Sequence, residues 1–476
     1  MTEPAPDPRR WRALAVTQAA GFMTLLDVSI VNVALPSIQA DLGAGPSAIQ
    51  WVISGYALTF GLSLVAGGRL GDALGRRRMF LIALTGFVLT SALAGAAPNL
   101  SLLIAARLLQ GITGGLLTPQ NSGLIQDMFR GAERGRAFGV FGATVGISTA
   151  VGPVAGGVIL ALFGDPEGWR WVFYVNLPVG LVALFLAARL LPKAETRSRP
   201  DIDVVGALLL GAAVFALLFP LVEADDLAAL WWLFPVAVAL GLLFVRWEHR
   251  TTAGGRAPLL DVRLFSEVPG FVAGIGIGMA YFCGFTGIWL VFALFFQSGL
   301  GYTPLQSGLA VTPFAIGGAI AAVVAGRLVA RFGRAVTVAG LVLVAVGLAG
   351  VAVVGLFVDG PSVGLWMALP MAVAGVGGGA VISPNTTLTL SCVPNRMAGV
   401  AGGVLQTGQR IGTAVGTATL ATIFHAVLAG SAQYQRALAV ALFAAVGLIL
   451  VALLLAVRDW RADRQREIDR EAAPVG

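Results

Sequence analysis

From residue 13 to residue 457 the sequence alternates apolar stretches of about twenty residues or more with short polar junctions, and this rhythm limits the fold more than any single motif. A helix rising about 1.5 Å per residue needs about 20 apolar residues to cross a hydrocarbon core roughly 30 Å thick. Inside that core each backbone amide must be bonded within its own segment or around a closed barrel, and stretches of this length specify helices. Fourteen spans are predicted, at residues 13–37, 48–70, 79–97, 100–127, 137–163, 171–191, 202–222, 229–246, 268–298, 305–329, 335–357, 363–390, 398–427 and 436–457. With 57% of 476 residues apolar and only 12% charged, a soluble globular domain is excluded.

Basic residues orient the spans, because loops on the cytoplasmic side retain Lys and Arg. Arg9, Arg10 and Arg12, then Arg76, Arg77 and Arg78, then Arg130, Arg134 and Arg136, then Lys193, Arg197 and Arg199 all precede odd-numbered spans, whereas Arg170 and Arg436 fall on the other side. The expectation is a multi-pass protein of the cytoplasmic membrane with both termini cytoplasmic. The net charge of +7 is then topological, which makes the bilayer the partner and argues against nucleic acid. Cys283 and Cys392 read as packing residues, and His249 and His425 have no partner at metal-ligand spacing, so neither metal nor cofactor is expected. Without a His-Glu-x-x-His, a Gly-x-Ser-x-Gly or a pair of intramembrane acids, enzyme chemistry has no support either.

The chain repeats itself. Gly68-Arg69-Leu70-Gly71-Asp72-Ala73-Leu74-Gly75-Arg76 returns 258 residues later as Gly326-Arg327-Leu328-Val329-Ala330-Arg331-Phe332-Gly333-Arg334. Two parallel six-span halves with two additional helices between them account for that offset, and such repeats are a transporter architecture. The expected divisions are an N-terminal bundle at 1–200, a two-helix insert and linker at 201–261, a C-terminal bundle at 262–458 and a cytoplasmic tail at 459–476. The tail's run from Arg458 to Arg470 reads as an interfacial helix or a disordered segment.

Intramembrane charges are costly and point to function. Asp27 lies nine residues before Pro36 on an outward-running helix, and Arg107 nine after Pro98 on an inward-running one. Both are therefore roughly 13 Å below the outer boundary, where helices 1 and 4 can bring them together. Thr24, Asn32 and Gln110 add polar groups nearby, and Arg410 is a third charge, in span 13. Asp72 is not explained by topology; it is placed to meet the N-terminus of span 13, and Asp127 is a candidate partner for Arg76 or Arg77. Gly142 and Gly146, then Gly152 and Gly156, form small-xxx-small ladders in span 5, with a kink expected at Pro153.

These residues resemble the fourteen-span drug/proton antiporters of the major facilitator superfamily. The resemblance covers the whole chain. Its loop signature is carried by Gly68, Leu70, Asp72, Gly75, Arg76 and Arg77, although Ala73 stands where the family usually has Arg. Its first-span signature is the segment around Asp27, with Ser29 in place of Thr, and its fourth-span signature is Arg107-Leu108-Leu109-Gln110-Gly111. Its antiporter signature is Gly142, Gly146, Gly152-Pro153 and Gly156-Gly157.

The resemblance implies an all-α membrane protein of the major facilitator fold that exports drugs, antibiotics or other amphiphilic molecules against protons, energised by the proton gradient and acting as a monomer. Asp27 and Arg107 are then expected to couple protons, and Gly68, Asp72, Gly75, Arg76, Arg77 and Asp127 to form a conformational latch. An exporter or flippase of an endogenous lipid or cell-envelope precursor is the alternative on the same fold. Beside Thr24, Asn32 and Gln110, the cavity is expected to include Arg410 and, from the aromatic span 9, Tyr281, Phe285 and Trp289. Spans 9–14 carry no acid, so a dication is a poor ligand, and monocations, zwitterions, neutral molecules or weak anions fit better. Spans 7 and 8, joined by the acidic hairpin Glu223-Ala224-Asp225-Asp226, read as peripheral.

Overall fold

A computed structural model describes residues 8–43, 45–164, 167–192, 203–222, 227–254, 258–358, 360 and 362–472. The loop residues Lys193, Arg197 and Arg199, the 200/201 division and the hairpin Glu223–Asp226 lie outside them. Among the described residues there is no strand.

The long helical segments are α1 (Arg10–Leu42), α2 (Pro46–Leu74), α3 (Arg76–Gly95), α4 (Leu100–Met128) and α5 (Gly131–Phe163). After them comes α6, built from Glu167–Trp169, Arg170–Tyr174 and Asn176–Leu190. The insert supplies α7 (Val204–Val222) and α8 (Leu233–Ala253). The second half contains α9, composed of Phe271–Phe285, Ile288–Ala293 and a π turn at Leu294–Gly299, then α10 (Pro304–Phe332), α11 (Arg334–Phe357), α12 (Val363–Ser391), α13 (Ala398–Ser431) and α14 (Tyr434–Ala472). Among the described residues, twelve helical segments have the length and composition to cross a membrane. The two outside that set are α5, which nevertheless contains the predicted span 137–163 within one continuous helix, and α8, whose last turns carry Arg246, Glu248, His249 and Arg250.

Two expectations change. Span 9 is not one helix, because the α-helix ends at Phe285 and resumes at Ile288 beyond Thr286 and Gly287. The division at 458/459 falls inside α14, where Asp459 is buried and accepts a 2.7 Å hydrogen bond from Arg334 Nε. An apolar helix end that finds a buried counter-charge continues instead of fraying.

Helix pairing shows the repeat in three dimensions. Within the first bundle α2 packs on α4, α3 on α4, α1 on α5 and α6, and α3 on α6; each pairing recurs eight helices later. The pairings between bundles exchange in the same way, α5 with α10 answering α13 with α2, and α5 with α12 answering α13 with α4. The start of α1 and the C-terminal part of α14 lie on one face of the molecule, here the terminal face: Arg10 bonds Glu133 at the start of α5, and Asp459 bonds Arg334 at the start of α11.

Glycines set how closely the bundles meet. A methyl group placed on Gly135 would come within 2.5 Å of the Gly326 carbonyl oxygen, and one on Gly139 within 3.0 Å of the Ala322 carbonyl. Further along α5 the gap widens, to 3.2 Å from Ser383 at Gly142 and 3.8 Å from Ala319 at Gly146. The other seam is as tight at the terminal face, where a methyl on Gly68 would lie 2.5 Å from the Gly399 carbonyl carbon and one on Gly403 2.7 Å from the Leu64 carbonyl oxygen. The bundles therefore meet most closely at the terminal face and pack less tightly further along α5.

The insert is less peripheral than its sequence suggests. Leu210, Val214 and Leu218 of α7 pack on Leu58 and Leu62 of α2 and on Ile411 and Ala414 of α13, so α7 covers one seam between the bundles. The linker that follows α8 buries Leu259, Leu260 and Leu264 in a cluster with Leu14, Val65, Phe138, Leu390 and Val400 from both bundles. Fully buried Glu248 holds this linker by accepting from the Leu260 amide at 3.3 Å. Across Gly206 stands Asp203, which accepts from Trp247 Nε1 at 2.8 Å and from the Gly206 amide at 2.9 Å.

Burial, reinforced by the Asp203 carboxylate, pushes the Glu248 carboxyl up to about 7 from an ordinary 4.5. A raised carboxyl favours the folded contact when protonated, so its contribution is complete below about pH 4.5 and is lost as pH rises through about 7. The thermal midpoint of the detergent-solubilised protein is expected to fall across that window, and Glu248→Gln to flatten the fall. Identical slopes in both proteins would refute the assignment to Glu248.

Candidate functional site

A fully buried ion pair lies inside the first bundle. Arg107 Nη1 of α4 donates to Asp27 Oδ2 of α1 at 2.5 Å, and both side chains are sealed, at 1% and 0% exposure. Asp27 Oδ1 accepts from Gln110 Nε2 at 3.1 Å and from Asn176 Nδ2 at 2.9 Å. Ser91 Oγ of α3 ties both amides together, at 2.6 Å from Gln110 and 3.2 Å from Asn176. Arg107 also donates Nε to the Val52 carbonyl at 2.9 Å and Nη1 to Gln110 Oε1 at 2.6 Å. Four helices thus contribute side chains to one polar cluster, and removing a single partner of such a buried pair typically costs about 3–5 kcal/mol.

Sequence reasoning missed Ser91, Asn176 and Tyr56. An uncharged polar residue in an apolar span is cheap enough to pass as packing, and only Asn176, just before Leu177-Pro178, had a hint of special placement. Tyr56 of α2 closes the cluster. Its ring lies under the Arg107 guanidinium at 4.2 Å and its hydroxyl reaches the Thr24 carbonyl at 3.4 Å. Phe60, one turn further along α2, stands 5.8 Å from Tyr56 and carries the Arg410 guanidinium of α13 on its face at 4.3 Å. Tyr56 and Phe60 are therefore the partition between the sealed arginine of one bundle and a half-buried arginine of the other.

Three residues expected on the cavity wall are not there. Gln110 is fully buried because it shares with Arg107 the α4 face turned toward Asp27. Thr24 bonds the Gly21 carbonyl of its own helix and is buried beside Tyr56. Tyr281 is fully buried, stacked 5.0 Å from Phe285 with its hydroxyl against Gly378 of α12 and, among the described residues, no hydrogen-bond partner. Asn32 is exposed and takes no part in the Asp27 cluster. Phe285 and Trp289 are half-buried on either side of the break in α9, and with Phe314 of α10 they form an edge-to-face group, Trp289 to Phe314 at 5.1 Å. Thr286, in the break itself, bonds Thr413 of α13 hydroxyl to hydroxyl at 3.1 Å.

At the terminal face Asp72 caps α13, accepting from the Gly399 amide at 3.1 Å and the Val400 amide at 3.0 Å. A carboxylate there meets unsatisfied N–H groups and the positive end of the helix dipole. Arg76 holds Asp72 at 2.9 Å, contacts Asp127 and the Gly123 carbonyl at 2.6 Å each, and reaches the Asn395 carbonyl of the other bundle. Arg77 instead bonds the Ala188 carbonyl of α6. Gly75 has φ +94°, the left-handed geometry that lets α2 end and α3 begin one residue later. The second half keeps only part of this device. Arg334 repeats Arg76 and Asn385, 258 residues after Asp127, accepts from it at 2.7 Å, but Ala330 stands in place of Asp72.

The span 5 glycines divide between two surfaces. Gly142 and Gly146 face the second bundle, whereas Gly152 and Gly156 face Ser29 and Ile30 of α1 within their own bundle, and Gly157 faces open space. The ladder therefore makes one contact between halves, not two. The kink expected at Pro153 depends on a side chain outside those described.

Two repeated helical bundles meeting at glycine seams, with charges buried in the apolar interior, define a polytopic membrane transporter of the two-bundle class. The chain belongs to the Major Facilitator Superfamily, whose sequence pattern matches residues 19–417. It is 39% identical over 438 residues to a probable actinorhodin transporter of Streptomyces coelicolor, covering 90% of this chain and 75% of that one. It is also 36% identical to a puromycin resistance protein of Streptomyces alboniger, over 88% and 82% of the two chains. A tetracenomycin C resistance and export protein of Streptomyces glaucescens is 32% identical, over 87% and 76%. Among solved structures, the human organic anion transporter MFSD10 superposes with a TM-score of 0.67 at 16% identity, over 94% of this chain and 100% of that one. The proton:xylose symporter XylE gives 0.67 at 15%, over 95% of each. At such identities these two share the fold alone.

Proposed function

We propose that this protein is a proton-coupled antiporter that exports antibiotics or other amphiphilic small molecules across the cytoplasmic membrane by alternating access, working as a monomer with its termini in the cytoplasm. The observation that carries the proposal is the sealed Asp27–Arg107 pair, linked through the Tyr56 and Phe60 rings to Arg410 of the other bundle. Resistance and export proteins among the relatives support a drug-efflux substrate range.

In this reading the structure, closed at the terminal face, is the outward-facing state. A proton taken up by Asp27 cancels the ion pair and leaves Arg107 with Gln110, the Val52 carbonyl and the Tyr56 ring. Tyr56 then shifts with its arginine and passes the change to Phe60 and the seam between α2 and α13. Asp72 and Arg76 release the start of α13, the terminal face opens, and the proton leaves to the cytoplasm as substrate binds. One proton moving down about 100 mV supplies about 2.3 kcal/mol, enough for roughly fifty-fold accumulation.

Inside-out vesicles holding the protein test the proposal. Substrate uptake into them is expected to rise with an inward-acid pH gradient and to collapse with nigericin, and uptake that ignores the gradient would end it. Asp72→Ala removes both acceptors for the start of α13 and is expected to lower turnover about tenfold while the protein still folds, with the modest fall in thermal midpoint that loss of a charged helix cap, about 1 kcal/mol, implies. Full turnover would show that the cap is not a latch.

A further inference from the structure

We propose that the wall formed by Arg410, Thr286, Thr413, Phe285 and Trp289, with buried Phe60 behind the guanidinium, is a binding site for flat aromatic anions. The guanidinium of Arg410 takes a carboxylate, sulfonate or ionised phenol, and the rings take the aromatic body. The proposal names the substrate class of the export reading above and rests on it for the direction of movement alone.

Charge is the first argument. Among the described residues of α1–α6, Asp27 is the only acid buried at mid-membrane depth, and both of its oxygens are engaged by Arg107, Gln110 and Asn176. A cation between the bundles therefore finds no free carboxylate. Arg410 is the opposite case: it is half-buried, and among the described residues its guanidinium makes no hydrogen bond or ion pair. The Phe60 face attracts its charge but accepts none of its five N–H donors, which are arranged to grip an oxyanion in pairs. An unpaired arginine inside a membrane protein is expensive to keep, and an anionic ligand supplies the missing partner.

Shape is the second argument. Thr413 lies one turn from Arg410 on α13, and its hydroxyl pairs with that of Thr286 where α9 is interrupted. Broken helices near mid-membrane place polar groups at substrate sites in other transporters, since irregular backbone is tolerated only beside a cavity or protein. Immediately flanking the break, Phe285 and Trp289 meet edge to face at 5.9 Å, and Trp289 meets Phe314 at 5.1 Å. Charge, hydroxyls and rings thus follow one another along facing parts of α13 and α9, an order that matches a flat ring system ending in an acidic group.

Three probes share one three-ring body and differ in charge: acridine-9-carboxylate, acridine-9-carboxamide and 9-aminoacridine. Equilibrium binding of each to the purified full chain is measured by fluorescence near neutral pH, without any gradient. The carboxylate is expected to bind at least about tenfold more tightly than the carboxamide, as a charge-assisted hydrogen bond implies, with the cation weakest. Arg410→Gln is expected to shrink the carboxylate's advantage to below about threefold, while Arg410→Lys, which keeps the charge and loses the paired donors, gives an intermediate advantage. Equal or tighter binding of the cation, no binding of the carboxylate, or a tenfold advantage surviving in Arg410→Gln would each overturn the proposal. If Arg410→Gln fails to fold, the order of the three probes on the unmodified chain still decides. Because no gradient is present, failure of proton coupling leaves this result standing, and failure of the charge order leaves proton coupling standing.

Discussion

Asp27→Asn is expected to abolish uphill export while leaving downhill exchange, and the split between the two is the informative result. Asn is close to Asp in size but cannot ionise, so the cycle loses its proton site. The local geometry says that the change is not silent. Whichever way the new amide turns, its NH2 meets a donor: Arg107 Nη1 where Oδ2 stood, or the Gln110 and Asn176 amides where Oδ1 stood. Arg107 also loses its counter-charge, and the remaining guanidinium is held by the Val52 carbonyl, Gln110 and the Tyr56 ring. Accumulation driven by one proton at about 100 mV, roughly fifty-fold, should therefore fall to unity. Counterflow of labelled against unlabelled substrate needs no proton and should persist. Undiminished uphill export would remove Asp27 from the coupling step, whereas loss of counterflow together with a collapsed thermal midpoint would show the cluster to be a strut of the first bundle.

Much of this fold was legible because membrane helices announce themselves by length. Apolar stretches gave the order of the long helices, and the 258-residue offset gave the two halves, since backbone satisfaction in lipid leaves few alternatives. The approach of Asp27 and Arg107 was legible from depth alone, because two helices of known rise and opposite direction fix where their charges meet. Direction around the helix axis was not legible. Gln110 sits three residues from Arg107 and could have faced the cavity or Asp27; only packing against α1 and α3 decides. The same holds for Tyr281, which differs from half-buried Phe285 by one helical turn yet is fully buried on α12. Glu248 is not singled out by the sequence at all: it stands at the end of a helix rich in exposed charge, and only the folded linker, with its leucines and Asp203, encloses it.

Replacing Gly68 or Gly326 by leucine is the second change with a large expected effect, and it acts on shape with no change of charge. The two glycines are repeat counterparts, one in each seam at the terminal face. Any Cβ on Gly68 would stand 2.5 Å from the Gly399 carbonyl carbon and 2.8 Å from the Val400 nitrogen. Any Cβ on Gly326 would stand 2.5 Å from the Gly135 carbonyl oxygen and 2.8 Å from the Gly139 Cα. In both cases the obstacle is backbone, which cannot rotate away as a side chain can, so the helices must separate by an ångström or more. Separation at Gly68 also pulls the Gly399 and Val400 amides off Asp72, which makes the closed state lose its contact and its cap together. Each leucine variant should therefore fold, because the bundles' own cores are untouched, but remain open at the terminal face. Turnover is expected to fall at least about a hundredfold, the outcome when closure loses roughly 3 kcal/mol or more. A cysteine introduced at Gln126, buried at the closed face, should become reactive to a membrane-impermeant maleimide applied from that face. Unchanged reactivity with normal turnover would mean that the seams open and close without close contact at these glycines, and closure would then have to rest on the linker leucines and α7.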